Sequence, residues 1–337
     1  PGAIIGETNR DGMIITLAIT YDCSRGCGYC FQRSERAFGL PHMSLQDYVR
    51  AMHWLRRANH LEFKITGGEP TQHPEFVTFC ELAREHGSRL VLMTNGSFDF
   101  SALPHIDVLS GAFVHMRPAS ELPPEQEARV LSSIEFLQSA GVPVVLSYTI
   151  TEPGRLREMV YLAKSLRKAA LRIDLARSDL TRSNDFVPIG EYRQYGDEFI
   201  EAAKLAEEGG VALTLDCPLP LCMFNEKQRD HLRTNGLRGV CTPFPIINPD
   251  LSVGCCPYPG LLQCRLNEIR PDTLEHRLLN HEDLEDLRWL WPMMRECEAC
   301  SLWKRRQCQG GCIRGKPVLP KNACHALPFL TRGGGAY

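Results

Sequence analysis

Three cysteines lie close together near the start of the chain, at Cys23, Cys27 and Cys30. Their C-x3-C-x2-C spacing supplies three thiolates, whereas a closed electron-transfer 4Fe-4S cluster takes four. One iron of such a cluster would therefore stay open to bind a substrate or cofactor. Structural zinc is the alternative, and this loop fits it poorly because zinc takes four ligands and no histidine lies close by.

A Gly-Gly-Glu-Pro run, residues 67–70, directly follows a short β-rich segment. Two glycines let a backbone approach a ligand closely, and the carboxylate of Glu69 can receive an ammonium group. An isolated Gly-Gly turn would be weak evidence, because such turns commonly end strands. Its position after the second strand, beside the cysteine loop that follows the first, favours a binding site.

Polar residues also follow the later β-rich segments. Thr94 and Asn95 lead into an Asn-Gly turn, and a simple turn explains them about as well as a site does. Arg117 offers a guanidinium fork that could clamp a carboxylate, with an exposed loop arginine as the alternative. Ser147, on the fifth predicted strand, is a further cofactor candidate. No catalytic residue is assigned from the sequence.

The segments that must position these residues alternate between strand and helix. β-rich runs predict strands over 13–20, 63–66, 90–94, 112–116, 142–150 and 171–175. Helical spacing predicts helices over 44–57, 74–86, 124–140, 154–169 and 192–208. The alternation predicts an α/β fold with a parallel sheet, either a partial barrel or doubly wound, with the chemistry at the carboxyl ends of the strands.

The amino-acid composition changes after residue 210, where most of the 15 cysteines lie among prolines and short strand-like runs. This composition predicts a second, small, cysteine-rich region held together by bound metal rather than by a large core. We place the division between residues 1–200 and 201–337. Paired cysteines also suit structural zinc, so that alternative stays open for this region taken by itself.

The overall composition is that of an ordinary globular protein, with 337 residues, 43% hydrophobic side chains, and 38 basic against 40 acidic residues. The formal charge of −2 does not favour nucleic acid as a partner, because nucleic acid selects a basic excess. Apolar runs are shorter than the roughly 18 residues that span a bilayer, so no membrane segment is predicted. Clustered thiols without a secretion signal predict a reducing compartment, and hence the cytoplasm.

The two N-terminal motifs together resemble those of the radical S-adenosylmethionine (radical SAM) enzymes, whose partial (β/α)6 TIM-like barrel would cover about residues 10–185. The resemblance implies that the three cysteines bind a 4Fe-4S cluster whose fourth iron is chelated by S-adenosylmethionine. Gly67, Gly68 and Glu69 would contact its amine, and Tyr29 would lie near its adenine. Cleavage then yields a 5′-deoxyadenosyl radical that abstracts a substrate hydrogen, so the hard chemistry belongs to the cofactor.

The remaining candidates fit this family to different degrees. Thr94 and Asn95 match its pattern after the third strand, and Arg117 and Ser147 would be further cofactor contacts. On the fourth strand many relatives carry Ser followed by Asp-Gly, whereas residues 115–118 of this chain read His-Met-Arg-Pro. The sequence of this strand therefore departs from the family pattern.

The C-terminal cysteines resemble the auxiliary-cluster extension called the SPASM domain, which carries two more 4Fe-4S clusters. The resemblance assigns the distal cluster to Cys297, Cys300, Cys308 and Cys324, and the nearer cluster to Cys241, Cys256 and Cys312. Either Cys217, Cys222, Cys255 or Cys264 completes the nearer cluster, or one of its irons stays open. The chain departs from the usual pattern at Leu251, which replaces a glycine, and in the seven residues between Cys300 and Cys308, where five are usual.

The first functional hypothesis is a peptide-modifying radical SAM oxidoreductase that forms a crosslink or makes a related change. Its partners would be a flavodoxin- or ferredoxin-type electron donor and a peptide. Because only 22 residues precede Cys23, we expect the peptide to bind directly or through a separate leader-binding protein. The second hypothesis is a small-molecule dehydrogenase or epimerase of natural-product biosynthesis, and the third is a zinc-stabilised binding protein.

Overall fold

The structure is a computed structural model that describes residues 14–30, 32, 42–167, 170–177, 184–234, 244–255, 264–271, 289 and 295–310. Its centre is a ten-stranded, mostly parallel sheet. The strands are β1 (Thr16–Thr20), β2 (Glu62–Gly67), β3 (Arg89–Thr94), β4 (Leu109–His115), β5 (Val144–Ile150), β6 (Ala170–Leu175), β7 (Ala212–Leu215), β8 (Pro245–Ile247), β9 (Ser252–Cys255) and β10 (Cys264–Arg265).

Strands β1 to β7 lie side by side in chain order and run parallel. On the other side of β1, β8 adds a parallel strand, and β9 and β10 continue the sheet as antiparallel strands. The carboxyl ends of β1 to β7 therefore meet at one edge, where an α/β sheet forms its site. The sheet continues on both sides of residue 200, so the predicted domain division remains a prediction.

Helices cover the sheet between these strands. They are α1 (Leu45–Arg57), α2 (Phe76–Glu85), α3 (Pro124–Ser139), α4 (Leu156–Ser165), α5 (Tyr192–Glu208), α6 (Glu226–Thr234) and α7 (Ser301–Lys304). Ser44 caps α1, since its Oγ accepts a hydrogen bond from the Asp47 N–H at 3.1 Å. The six predicted strands and five predicted helices are all present, with ends shifted by a few residues.

The two faces of the sheet differ in chemistry. Alternate residues of each strand, such as Leu17, Ile65 and Leu146, enter the main core against the helices. The opposite face has a smaller apolar cluster of Val91, Phe113, Val145 and Ala170. Polar side chains of the central strands share that second face, because successive residues of a strand point to opposite sides.

The departure from the SPASM pattern at Leu251 has a structural counterpart. Leu251 adopts a left-handed backbone with φ of 61°, in the turn that joins β8 to β9. Its N–H donates to the Asn248 carbonyl at 2.9 Å, which closes the turn. A glycine is favoured at such an angle because it has no Cβ. The backbone therefore has the conformation that the usual glycine favours, although this chain has a leucine there.

Among the helices that the structure describes, none combines the length and the apolar character needed to cross a membrane.

Candidate functional site

The loop that directly follows β1 carries the three N-terminal cysteines. All three are partly exposed and none forms a disulfide, and the Cys30 N–H donates to the Cys27 carbonyl at 3.1 Å to close a turn between them. Soft thiolates are the preferred ligands of an iron-sulfur cluster. The loop therefore fits the cluster that its spacing predicts.

A buried asparagine anchors this loop from the segment after β6. The Asn184 amide nitrogen donates to the carbonyls of Tyr29 at 3.0 Å and Arg177 at 2.7 Å. The neighbouring Asp185 N–H donates to the Gly28 carbonyl at 2.9 Å. These bonds join the loop after the first strand to the chain after the sixth. Sequence reasoning missed Asn184, because a single asparagine far from the motif leaves no local signal.

Gly67 and Gly68 let the ends of β1 and β2 come into contact. The Gly68 N–H donates to the Thr20 carbonyl at 2.9 Å. A Cβ on Gly67 would lie 1.9 Å from that same oxygen, and one on Gly68 would lie 2.3 Å from the Asp22 carbonyl oxygen. Neither position accepts a side chain without backbone movement. The glycines therefore hold the cysteine loop close to the second motif.

Glu69 is fully buried and holds the ends of β2 and β3 together. Its Oε1 accepts hydrogen bonds from the Thr71 N–H at 3.2 Å, the Thr71 hydroxyl at 2.7 Å and the Thr94 hydroxyl at 2.8 Å. Its Oε2 accepts from the Asn95 N–H at 2.6 Å. Burial raises the pKa of Glu69, while these hydrogen bonds act in the opposite direction. Glu69 is thus a positioning residue for the neighbouring turns, a role not expected from sequence.

Asn95 connects Glu69 and its hydrogen-bond partners to the cysteine loop. Its side-chain nitrogen lies 3.9 Å from Cys23 Sγ, within the range of a hydrogen bond to sulfur. Its Oδ1 accepts from the Ser97 N–H at 2.9 Å, which fixes the amide orientation. The first cysteine and the loops after β2 and β3 therefore form one connected unit, and cofactor binding by Thr94 and Asn95 remains a prediction.

Tyr29 is paired with a histidine on the fourth strand. The Tyr29 hydroxyl lies 2.6 Å from His115 Nε2, and His115 Nδ1 lies 3.2 Å from the Met116 carbonyl oxygen. The carbonyl can only accept, so Nδ1 carries the proton and Nε2 accepts from Tyr29. Burial lowers the pKa of His115 to about 3, assisted by the positive charges of Arg25, Arg117 and Arg172. The imidazole is therefore neutral at physiological pH.

Arg117 and Ser147 occupy different surroundings at this edge. Arg117 Nη2 lies 2.8 Å from Glu121 Oε2, and the guanidinium carbon lies 5.7 Å from the centre of the Tyr29 ring. Part of its fork is therefore already engaged within the protein. Ser147 pairs with His115 in the register of β4 and β5, so it lies beside the histidine on the neighbouring strand.

A group of charged side chains on the second face of the sheet was not predicted. Arg172 and Lys64 lie over the Phe113 ring, at 4.9 and 5.6 Å from its centre. Arg172 also forms an ion pair with Asp216. The available signal was the alternation of charged and apolar residues within β2 and β6, where a strand buried on both faces would read as continuously apolar.

The structure also describes part of the second cysteine group. The Cys300 N–H donates to the Cys297 carbonyl at 3.0 Å, so the two lie on one tight turn. The buried Cys308 Sγ accepts from the N–H groups of Leu221 at 3.4 Å and Gly310 at 3.3 Å. The other predicted ligands of this group lie outside the described residues: Cys241, Cys256, Cys312 and Cys324.

Residues 17–166 match the family described as the Radical SAM superfamily, and this range contains both the cysteine loop and the Gly-Gly-Glu-Pro turn. This part of the chain is therefore a radical SAM domain. A 4Fe-4S cluster and S-adenosylmethionine are accordingly its cofactors, and the predicted α/β fold is confirmed.

The similarity of this radical SAM chain to individual proteins extends over most of its length. It is 22% identical to the PqqA peptide cyclase of Gluconobacter oxydans over 95% of this chain and 92% of that protein. It is 27% identical to the mycofactocin maturase MftC of Mycobacterium tuberculosis over 94% of this chain and 85% of that protein. It shares the fold of Streptococcus suis SuiB bound to S-adenosylmethionine, with a TM-score of 0.62 and 15% identity over 89% of this chain and 72% of the other.

Proposed function

We propose that this radical SAM enzyme modifies a peptide, abstracting a hydrogen atom and forming a crosslink or a related oxidised bond. One observation carries the proposal. The two relatives named as a peptide cyclase and a maturase align with 95% and 94% of the chain. The alignment therefore includes the C-terminal cysteine region as well as the domain at 17–166.

In this proposal the edge of the sheet binds the cofactors. Cys23, Cys27 and Cys30 hold the cluster, which with S-adenosylmethionine supplies the 5′-deoxyadenosyl radical when both are bound. The backbone of Gly67 and Gly68 meets the amine, as the close approach of β1 and β2 permits.

The other residues of this edge shape and close the binding site. Glu69, Thr94 and Asn95 hold these loops in place through the hydrogen bonds between β2 and β3. The Tyr29 ring, which is fixed by its hydrogen bond to neutral His115, would lie near the adenine. Arg117 and Ser147 line the neighbouring strands and meet the rest of the cofactor.

We further propose that the C-terminal region, residues 201–337, is a SPASM-type domain that holds two auxiliary 4Fe-4S clusters. The full chain would then carry three clusters and about 12 iron atoms. Its cysteines support this, because Cys297 and Cys300 share one tight turn and Cys308 follows on the next, where its N–H donates to the Leu302 carbonyl at 3.3 Å. The auxiliary clusters would accept the electron left when a substrate radical closes a new bond.

The partners follow from this chemistry. A flavodoxin- or ferredoxin-type protein would supply the electron, and the peptide would bind directly or through a separate leader-binding protein. We propose that the enzyme acts in the cytoplasm, because clustered cysteines that bind iron rather than form disulfides are typical of a reducing compartment.

A small-molecule substrate is the second candidate, and the second face of the sheet favours it. There Lys64 and Arg172 both lie over Phe113. Positive charges beside an aromatic ring would suit a compact anionic substrate of a dehydrogenase or epimerase.

Mass spectrometry of precursor peptides separates the two candidates. Reduced, fully reconstituted enzyme is incubated with S-adenosylmethionine and with peptides encoded next to its gene. We expect one peptide to lose two hydrogens, in step with the formation of 5′-deoxyadenosine. A mass change in a free sugar or amino acid, with every neighbouring peptide unmodified, would contradict the proposal.

A further inference from the structure

A fourth thiol lies beside the C-terminal trio although it is distant in sequence. Cys222 belongs to a short 3-10 turn, Leu221–Met223, between β7 and α6. The N–H of Leu221, the residue directly before it, donates to Cys308 Sγ at 3.4 Å. A gap of 86 residues in sequence is thus closed by a direct contact at the sulfur of Cys308.

The position of this turn is set by α5. The Met223 N–H donates to the Pro220 carbonyl at 3.0 Å and closes the turn. A Cβ on Gly196 of α5 would lie 1.9 Å from the Met223 carbonyl oxygen. The helix and the turn therefore pack backbone to backbone, which fixes Cys222 relative to the sheet.

The electrostatic surroundings of Cys222 show which groups it faces. Its thiol lies within electrostatic range of the thiols of Cys308, Cys297 and Cys300, with Cys308 the strongest of the three. Thiolates repel one another unless a metal ion or cluster balances their charge. Four neighbouring thiols are therefore expected to bind one metal ion or cluster.

We propose that Cys222 is a ligand of the same iron-sulfur cluster as Cys297, Cys300 and Cys308. The described part of the chain then supplies four thiolates, which is the full set for a closed 4Fe-4S cluster. The position-by-position resemblance gives this fourth place to Cys324 instead, and Cys222 was a candidate for the nearer cluster. The backbone N–H groups of Leu221 and Gly310 that point at Cys308 Sγ would stabilise a charged sulfur there.

The inference rests on the proposed iron-sulfur content of the C-terminal region, and the experiment keeps the two separable. The parent is the full chain with Cys23→Ala, Cys27→Ala and Cys30→Ala, so that only auxiliary clusters remain. After anaerobic reconstitution, iron, sulfide and zinc are measured per chain, with electron paramagnetic resonance of the reduced protein. Zinc or no metal in this parent would contradict the proposed function itself.

Within that parent, Cys222→Ala should lose iron, up to about four atoms if the cluster is not retained. The parent that also carries Cys297→Ala and Cys300→Ala has already lost this cluster, so adding Cys222→Ala should remove no more. Cys80→Ala is the control, because Cys80 is a buried cysteine of helix α2 that is assigned to no cluster, and it should keep the parent iron content.

Unchanged iron and an unchanged resonance spectrum in Cys222→Ala would overturn the assignment. Further iron loss in the Cys297→Ala, Cys300→Ala background would also overturn it, because it would place Cys222 on the nearer cluster. Cys222→Ser covers the case in which the alanine variant does not fold. Its hydroxyl oxygen should retain iron with shifted g values, whereas parent g values would contradict ligation.

Discussion

Replacing Gly68 by alanine should separate the cysteine loop from the second motif. The new Cβ would lie 2.3 Å from the Asp22 carbonyl oxygen and 2.4 Å from that of Tyr21. Real contacts of this kind are essentially absent below 3.0 Å, so the strand ends must move apart by about 0.7 Å in a tightly packed interior. The hydrogen bonds Gly68 N–H to Thr20 O, at 2.9 Å, and Glu69 N–H to Asp22 O, at 2.7 Å, lie directly at this contact.

The magnitude follows from these two bonds and from the displacement. Weakening both should lower the free energy of unfolding by about 2 kcal/mol, at about 1 kcal/mol each. A shift approaching 1 Å between groups that hold one cofactor should slow S-adenosylmethionine cleavage by roughly 10- to 100-fold. Urea titration and the rate of 5′-deoxyadenosine formation under dithionite measure the two effects.

Gly26→Ala is the matched control for this experiment. Gly26 lies in the same cysteine loop, and a Cβ there meets nothing within 4 Å among the described atoms. We expect this variant to keep the iron content and cleavage rate of the wild type. A Gly68→Ala protein with wild-type stability and cleavage rate would refute the close-approach argument.

Two further changes test the structural role of Glu69 and the buried histidine. Glu69→Gln should lower the free energy of unfolding by about 1–3 kcal/mol in urea titration, because an amide has only one accepting oxygen and either the Thr71 N–H or the Asn95 N–H then loses its acceptor. The control Glu85→Gln, on the exposed face of α2, should change stability little. Equal stability of the two variants would contradict the structural role of Glu69. The pKa of His115 is about 3 in the folded protein, below its value of about 6.5 in the unfolded chain. Its contribution to the free energy of unfolding is therefore complete above about pH 6.5 and is lost towards pH 3. Between these values the free energy of unfolding should change by up to about 1.4 kcal/mol per pH unit. Denaturant titrations between pH 4 and 8 should show this slope in the wild type and a shallower one in His115→Asn, and identical slopes would contradict a buried neutral imidazole.

Local patterns in the sequence were enough for the strands, the helices and the cysteine loop. The Cys23 to Cys30 spacing lies on one loop, and helix α5 spans the predicted residues 192–208. The places where sequence reasoning fell short all depend on contacts between distant segments. Asn184 reaches the loop after β1 from beyond β6, and no pattern around residue 184 indicates that contact.

The role of Glu69 shows the same limit at a finer scale. The motif predicts a carboxylate at the carboxyl end of the second strand, and the structure places Glu69 there. Sequence alone could not show that Thr71, Thr94 and Asn95 already fill its oxygens, because two of these donors come from the next strand. The pairing of strands β7 to β10 was likewise not predicted, since the partner of a short strand is set by tertiary contacts.

Transfer of deuterium from a labelled peptide into 5′-deoxyadenosine is the most direct test of the central claim. The wild-type enzyme, reduced and supplied with S-adenosylmethionine, should move deuterium from the peptide encoded next to its gene into 5′-deoxyadenosine. The variant with Cys23, Cys27 and Cys30 changed to alanine should form no 5′-deoxyadenosine at all. Formation of 5′-deoxyadenosine by that variant, or wild-type product that never carries deuterium from any such peptide, would contradict the claim.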